Sequence, residues 1–369
     1  MMHGNLKPKS SGPAGGDPEW MKEENREMKK AFLVLLALLL CVCASAGAVN
    51  EDVEGDVVIY TSMYPFMIDQ MTATLKEEFP KLNVSFFYGG TGDLQTKLAG
   101  EMGEDRKGRL NCDMLMVAEP SYSLELKEYG YLEPVKIENP EEKLRFEFDP
   151  EGYWYPVRTL NMVLAYNPEK YSQAEVPATF KAFAEDASLK GQISMSNPLT
   201  SGTAMAAVTA LSDKYGYDYF TALGKNGVMI ESGSTALAKL QTGECKAIMI
   251  LEESVLRIRK EENSPITVIY PEDGVILVPS TVMTIAENKS ANANLEACEA
   301  LTNWLLSEAG QKCIVSGYMH PVLKGMEEVP YDSISTETLI EKDMGVNWDR
   351  CYHDREEIRT RFQEAVTLP

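Results

Sequence analysis

Asn197-Pro198-Leu199-Thr200-Ser201-Gly202-Thr203-Ala204-Met205 is the stretch from which the rest of the chain is read. Residues 191–196 before it alternate apolar and polar, as a short strand does. After it, Ala204, Met205, Val208, Leu211 and Tyr215 recur at helical spacing. A strand, a Ser/Gly/Thr turn and a helix start make a candidate anion site. The first helical N–H groups have no partner within the helix, and the macrodipole adds partial positive charge there. Ser201 and Thr203 offer hydroxyls, and Gly202 lets the backbone approach an oxyanion. A plain helix cap at Thr200 or Ser201 explains the same residues, and both readings stand at this point.

Working outward, residues 56–61 (with Val57, Val58, Ile59 and Tyr60) read as a buried strand, followed by a helix carrying Met67, Met71 and Leu75 on one face. A strand at 84–88 ends in Gly89-Gly90-Thr91-Gly92-Asp93, where Thr91 or Asp93 would cap a helix over 94–102. A strand at 113–117 ends in Ala118-Glu119-Pro120-Ser121. The order βαβαβα predicts a parallel sheet with helices on both faces, and ligands in such sheets bind beyond the carboxyl ends of the strands. Residues 153–157 and 162–166 read as long strands crossing between two lobes, with Trp154 and Tyr155 as core. Further strands are expected at 228–231, 247–251, 268–271 and 277–285. Helices are expected after Ser232-Gly233-Ser234-Thr235 and Glu252-Glu253-Ser254, and around Leu295, Cys298, Leu301 and Leu305.

The N-terminal region has another character. Met28-Lys29-Lys30, an apolar core over 31–42 and small residues at 44–48 form a secretory signal over residues 28–48. The apolar run is short for a transmembrane span. Met28 is the expected start, and Cys41 or Cys43 is a candidate for lipidation. About 320 residues follow, enough for two lobes with separate cores. The whole chain has net charge −21; residues 1–48 carry six Lys/Arg and five Asp/Glu, which leaves −22 for the rest. That balance argues against nucleic acid or an anionic membrane as partner. Five cysteines remain beyond the signal, an odd number with no C-x-x-C, so neither a zinc site nor a complete disulfide framework is indicated.

Val58-Ile59-Tyr60-Thr61-Ser62 after a signal, Leu164-Ala165-Tyr166-Asn167, the Ser-Gly-Thr turn and Ser307-Glu308-Ala309-Gly310-Gln311 together resemble the periplasmic solute-binding proteins of ABC importers. The branch is the one that contains ferric-binding, hexose-phosphate-binding and aminoethylphosphonate-binding proteins. The resemblance runs over residues 55–325. It implies the α/β, two-lobed type II periplasmic binding fold, each lobe a mainly parallel sheet flanked by helices, joined by two crossing strands and closing by hinge motion. The implied divisions are 1–48 for the extension and signal, 49–160 for the first lobe, 161–270 for the second, 271–326 for the return to the first, and 327–369 for a tail packing on the lobes. A permease and an ATPase are the implied partners, the periplasm or a membrane-associated secreted form the implied location, and a monomer the implied state. No cofactor is expected.

Ferric-binding members hold iron through a His after the first strand, a Glu after the third and a late pair of tyrosines. Here Tyr64 stands near the His place, Glu119 is kept, and Glu253-Ser254 falls where the tyrosines should be. Tyr64, Glu119 and Glu253 form the alternative, iron-binding set of hard oxygen ligands. The retained turn at Ser201, Gly202 and Thr203 favours an organic phosphate, such as a sugar phosphate or phosphonate. Glu252 or Glu253 would then accept hydroxyl or amine hydrogens, and Arg158 would give a charge-assisted bond. Ser62, Thr91 and Ser234, at strand ends, complete the expected ligand set. Helix capping, core packing and ion pairing are the plainer roles for each of these residues.

An enzyme finds little support. Beyond residue 48 the only histidines are His320 and His353, and no G-x-S-x-G, H-E-x-x-H, P-loop or G-x-G-x-x-G occurs. A secreted hydrolase is the remote alternative.

Overall fold

The computed structural model describes residues 50–367. The signal at 28–48, the start at Met28 and the fate of Cys41 and Cys43 lie outside them.

Apolar runs and helix punctuation set the elements in order. β1 (Glu54–Thr61) leads into α1 (Pro65–Glu78), whose Pro65 sits where a missing N–H is harmless and whose Met67, Met71 and Leu75 are buried. β2 (Lys81–Tyr88), α2 (Thr91–Met102), β3 (Met114–Val117) and α3 (Ser121–Glu128) follow, then β4 (Leu132–Glu133) and α4 (Pro140–Lys143). β1 pairs in parallel with both β2 and β3. β5 (Tyr155–Tyr166) is one strand of 12 residues, buried along its whole length. The sequence split it in two because Arg158, Thr159 and Asn161 interrupt its apolar run.

After α5 (Phe180–Glu185) comes a second parallel set: β6 (Ile193–Ser196), α6 (Gly202–Tyr215), α7 (Asp218–Lys225), β7 (Met229–Glu231), α8 (Gly233–Thr242), β8 (Ala247–Leu251) and α9 (Glu252–Glu262). β9 (Thr267–Ile269) and β10 (Ile276–Ile285) return antiparallel to β5. The chain ends in α10 (Leu295–Leu305), α11 (Glu308–Ser316), α12 (Thr336–Glu341), α13 (Trp348–His353) and α14 (Arg355–Thr367).

The strand order is β2-β1-β3-β10-β5-β8-β6-β7. Two parallel wings thus flank a central antiparallel pair, the α/β architecture that the sequence predicts. The wings meet β5 at different heights. Val117 ends β3 level with Thr281 and so with Pro156, whereas Leu251 ends β8 level with Met162. The strands of the two wings run towards each other, so their carboxyl ends face across the stretch of β5 between these levels. Arg158 and Leu160 stand in that stretch, on one face of the strand.

Several predicted boundaries move: the strand expected at 84–88 starts at Lys81, and that expected at 268–271 spans Thr267–Ile269. The helix expected over 94–102 starts at Thr91, with Gly90 as its cap. Thr91 does not cap it; its Oγ1 accepts from Ala118 N at 3.3 Å, tying α2 to the end of β3. Cys112, Cys245, Cys298, Cys313 and Cys351 are all free and buried. Among the described residues no helix is long and apolar enough to cross a membrane.

Candidate functional site

Between the facing strand ends lies a cavity of about 610 Å³. Three helices begin on it: α2 at Thr91, α6 at Gly202 and α8 at Gly233. Their free N–H groups and dipoles give the cavity a partial positive lining. Ser201 is the cap of α6, its Oγ accepting from Ala204 N at 3.2 Å, and it lies 3.1 Å from Thr203 Oγ1. The capping and cavity-lining roles of this residue therefore coexist. Ser232 caps α8 in the same way through Thr235 N.

Glycines let the walls touch. Gly92 N donates to Thr200 O at 3.1 Å across the cleft. A methyl group on Gly92 would lie 2.6 Å from Leu199 O, and one on Gly202 would lie 2.9 Å from Thr91 Cβ. On the other flank Tyr64 Oη and Ser254 Oγ are 3.3 Å apart.

The floor carries Arg158, 2 % exposed. Its Nη1 donates to Met319 Sδ at 2.8 Å, and its Nε has no partner among the described residues. Burial lowers its pKa to about 10, against the opposing pull of Glu253 and Tyr64, so it stays cationic at neutral pH. Burial pushes Glu253 up to about 7, with Arg158 opposing. Burial, then the charge of Glu253, raises Tyr64 to about 12. Ser62 Oγ is buried on the cavity and has no partner among the described residues.

Of the expected ligand set, Ser62, Tyr64, Thr91, Arg158, Ser201, Gly202, Thr203, Ser234 and Glu253 line this cavity. Two residues do not. Glu119 turns back to its own helix, its Oε2 accepting from Ser121 N at 2.7 Å, and packs behind Gly202. Burial raises its pKa while Arg355 of α14 opposes that rise. Glu252 points away from the cleft. It accepts from Asn161 Nδ2 at 2.9 Å and from Tyr270 Oη and Ser333 Oγ at 2.5 Å each, with His320 Nε2 at 3.2 Å. Burial alone would raise its pKa, but the bonds from His320, Ser333 and Tyr270 hold it below the usual range. The alternative iron set of Tyr64, Glu119 and Glu253 is thereby reduced to two residues on the cavity.

Tyr88, Asp93, Asn197, Thr200, Glu231 and Ser232 also line the cavity and are not in the ligand set expected from the sequence. Each follows or ends a strand, so the strand-end rule itself is the signal that finds them. Glu231 is already engaged, by Lys239 at 2.9 Å and by Ser194 Oγ at 2.7 Å.

The family model for the bacterial extracellular solute-binding protein matches residues 111–348. An uncharacterized protein of Haemophilus influenzae is 24% identical over 297 residues, covering 77% of this chain and 82% of its own. Among solved structures, iron-bound HitA from Pseudomonas aeruginosa superposes with TM-score 0.71 at 19% identity, covering 84% of this chain and 99% of its own. The periplasmic binding protein AfuA from Actinobacillus pleuropneumoniae, with fructose-6-phosphate bound, superposes with TM-score 0.73 at 20% identity, covering 85% and 99%. These structural likenesses establish the fold, a two-lobed type II periplasmic binding architecture. The family is one of binding proteins, which removes the hydrolase alternative. The chain belongs to the bacterial extracellular solute-binding proteins.

Proposed function

We propose that the protein captures a small organic phosphate, such as a sugar phosphate or phosphonate, in the cleft between its wings and delivers it to the permease and ATPase of an ABC importer. The observation that carries this reading is Arg158: a buried cation whose Nε has no partner among the described residues and whose neighbouring carboxyl, Glu253, is itself pushed up to about 7 by burial, at the floor of a cavity on which three helices start. An unpaired buried charge costs several kcal/mol, so the site is suited to an anion that supplies the missing partner. The turn at Ser201, Gly202 and Thr203 takes the phosphoryl group, Thr91 and Ser234 border it, and Ser62, Tyr64 and Glu253 meet the rest of the ligand. Exported, the protein works in the periplasm. The lobes divide at 160/161, inside β5, and at 270/271, shortly before β10, so that β5 and β10 are the hinge strands.

Ferric iron, the cargo in the alternative reading, has less to hold it. Glu119 faces away, and among the described residues no three His, Cys, Asp or Glu side chains converge as a metal site.

Thermal unfolding of the ligand-free protein against sugar phosphates, phosphonates, inorganic phosphate and ferric iron with phosphate tests the reading. A specific ligand raises the melting temperature by mass action. A rise of about 5 °C or more with an organic phosphate, lost in Ser201→Ala/Thr203→Ala, is the expected result. A rise with iron alone, accompanied by a visible tyrosinate band, overturns it.

A further inference from the structure

The floor and the flank of the cavity ask for different groups. On the floor Arg158 Nε and Ser62 Oγ, a hydroxyl that can also donate, have no partner among the described residues. A guanidinium has no acceptor capacity at all. Leu160, Ile250 and Ala118 line the cavity as apolar groups, and Glu253, pushed up to about 7 by burial, is the carboxyl beside Arg158. A sugar hydroxyl placed on this floor would leave the guanidinium with only that half-protonated carboxyl as its acidic neighbour. A carboxylate matches it, because its two oxygens accept from the planar N–H fork in parallel.

The turn that suits the phosphoryl group lies elsewhere. Ser196, the last residue of β6, is level with Val163 of β5 and two strands away from it. Arg158 is five residues further along β5. At ordinary spacings, about 3.3 Å per residue and 4.8 Å per strand, the two backbones are roughly 19 Å apart. The turn after Ser196 and the arginine side chain narrow that interval from opposite ends. The guanidinium bonds Met319 and feels the charge of Glu253 and Tyr64, whereas the turn and the residue before it meet Thr91, Gly92 and Glu119. Asp93 and Asn197 also line the cavity, and their side-chain oxygens suit hydroxyl groups of a ligand.

We propose that the ligand is a phosphate monoester whose other end is a carboxylate, a phosphorylated sugar acid or hydroxy acid, with the phosphoryl group at the Ser201 turn and the carboxylate on Arg158. This rests on the organic-phosphate reading above and adds the second charge.

Isothermal titration calorimetry with matched pairs tests it: glycerol 3-phosphate against 3-phosphoglycerate, erythritol 4-phosphate against 4-phosphoerythronate, and sorbitol 6-phosphate against 6-phosphogluconate. Each pair differs only in whether the far end is an alcohol or a carboxylate. The acid of at least one pair binds tenfold or more tightly than its alcohol, and Arg158→Met removes that preference. Equal affinities within every pair overturn the second charge and leave the organic-phosphate reading standing. Arg158→Met weakening acid and alcohol by the same factor also overturns it, since Arg158 then serves the phosphoryl group. Binding of no phosphate at any length overturns both readings. The wild-type comparison stands by itself if the variant does not fold.

Discussion

Glu253 and Arg158 influence each other without a hydrogen bond between them, and both are buried in a space meant for something else. The carboxyl of Glu253 titrates near 7 in the folded chain, above its ordinary 4.5. The folded state therefore holds a proton that the unfolded state has released, and stability is lost as pH rises through about 7. At roughly 1.4 kcal/mol per unit, the loss amounts to about 3 kcal/mol. Glu253→Gln is predicted to remove this slope, so urea unfolding at pH 5, 6, 7 and 8 should show wild type weakening relative to the variant. A parallel pair of profiles would contradict the burial of an isolated carboxyl. Arg158→Met should leave the ligand-free protein as stable as wild type or more so, because a buried charge without a hydrogen-bonded carboxylate is replaced by an apolar chain, while ligand affinity falls about a hundredfold. At this scale the sequence was only half legible. Neighbouring residues at a helix start point about 100° apart, so one of Glu252 and Glu253 had to leave the cleft. Which one left depends on Asn161, Tyr270, His320 and Ser333, far away in the chain. Glu119 does not line the cavity, because a carboxylate before a helix serves its own N–H groups as readily as a ligand.

The elements were more legible than the side chains. The strand–turn–helix reading of residues 191–215 corresponds to β6 and α6, and the same grammar placed α8 and α9. β5 was not visible as one strand, because burial from both sides is a tertiary fact and its polar residues look like an interruption. The role of Gly92 was equally hidden, since only the approach of residues 199–200 explains it. Gly92→Ala puts a methyl group 2.6 Å from Leu199 O, against backbone that has no rotamer to yield. The variant should fold with unchanged circular dichroism and bind its ligand about tenfold more weakly, a change of ~1.4 kcal/mol, because the walls no longer meet. Undiminished affinity would mean that this wall contact is not part of the bound state.

Over the whole molecule, the last helices lie across both wings. Arg350 of α13 bonds Asp213 at 2.6 Å and Ser212 at 2.9 Å on α6, and Phe362 of α14 packs edge-on against Phe220 of α7, 5.3 Å between centroids. On the first wing, Arg355 reaches Glu125 at 2.5 Å and Tyr352 reaches Glu128 at 2.7 Å. The apolar packing ties these helices to the second wing, so on the proposed hinge opening the polar contacts to α3 are the ones that break. Glu125→Gln with Tyr352→Phe should therefore enlarge the ligand-free radius of gyration in small-angle X-ray scattering and leave the ligand-bound value unchanged. An identical radius in both forms would show that α3 moves together with the tail. In the sequence this tail is only the segment 327–369 that the resemblance implies packs on the lobes, because its partners lie 130 residues or more away.

The proposed function requires the cleft to bind the phosphoryl group of an organic phosphate. The most direct measurement is a ³¹P NMR titration of the protein with a phosphate monoester that raises its melting temperature. A separate, shifted resonance that saturates at one equivalent, and is absent from Ser201→Ala/Thr203→Ala, is the predicted result. A spectrum showing only the free ester at every ratio, from a protein that takes up ferric iron instead, would contradict the account.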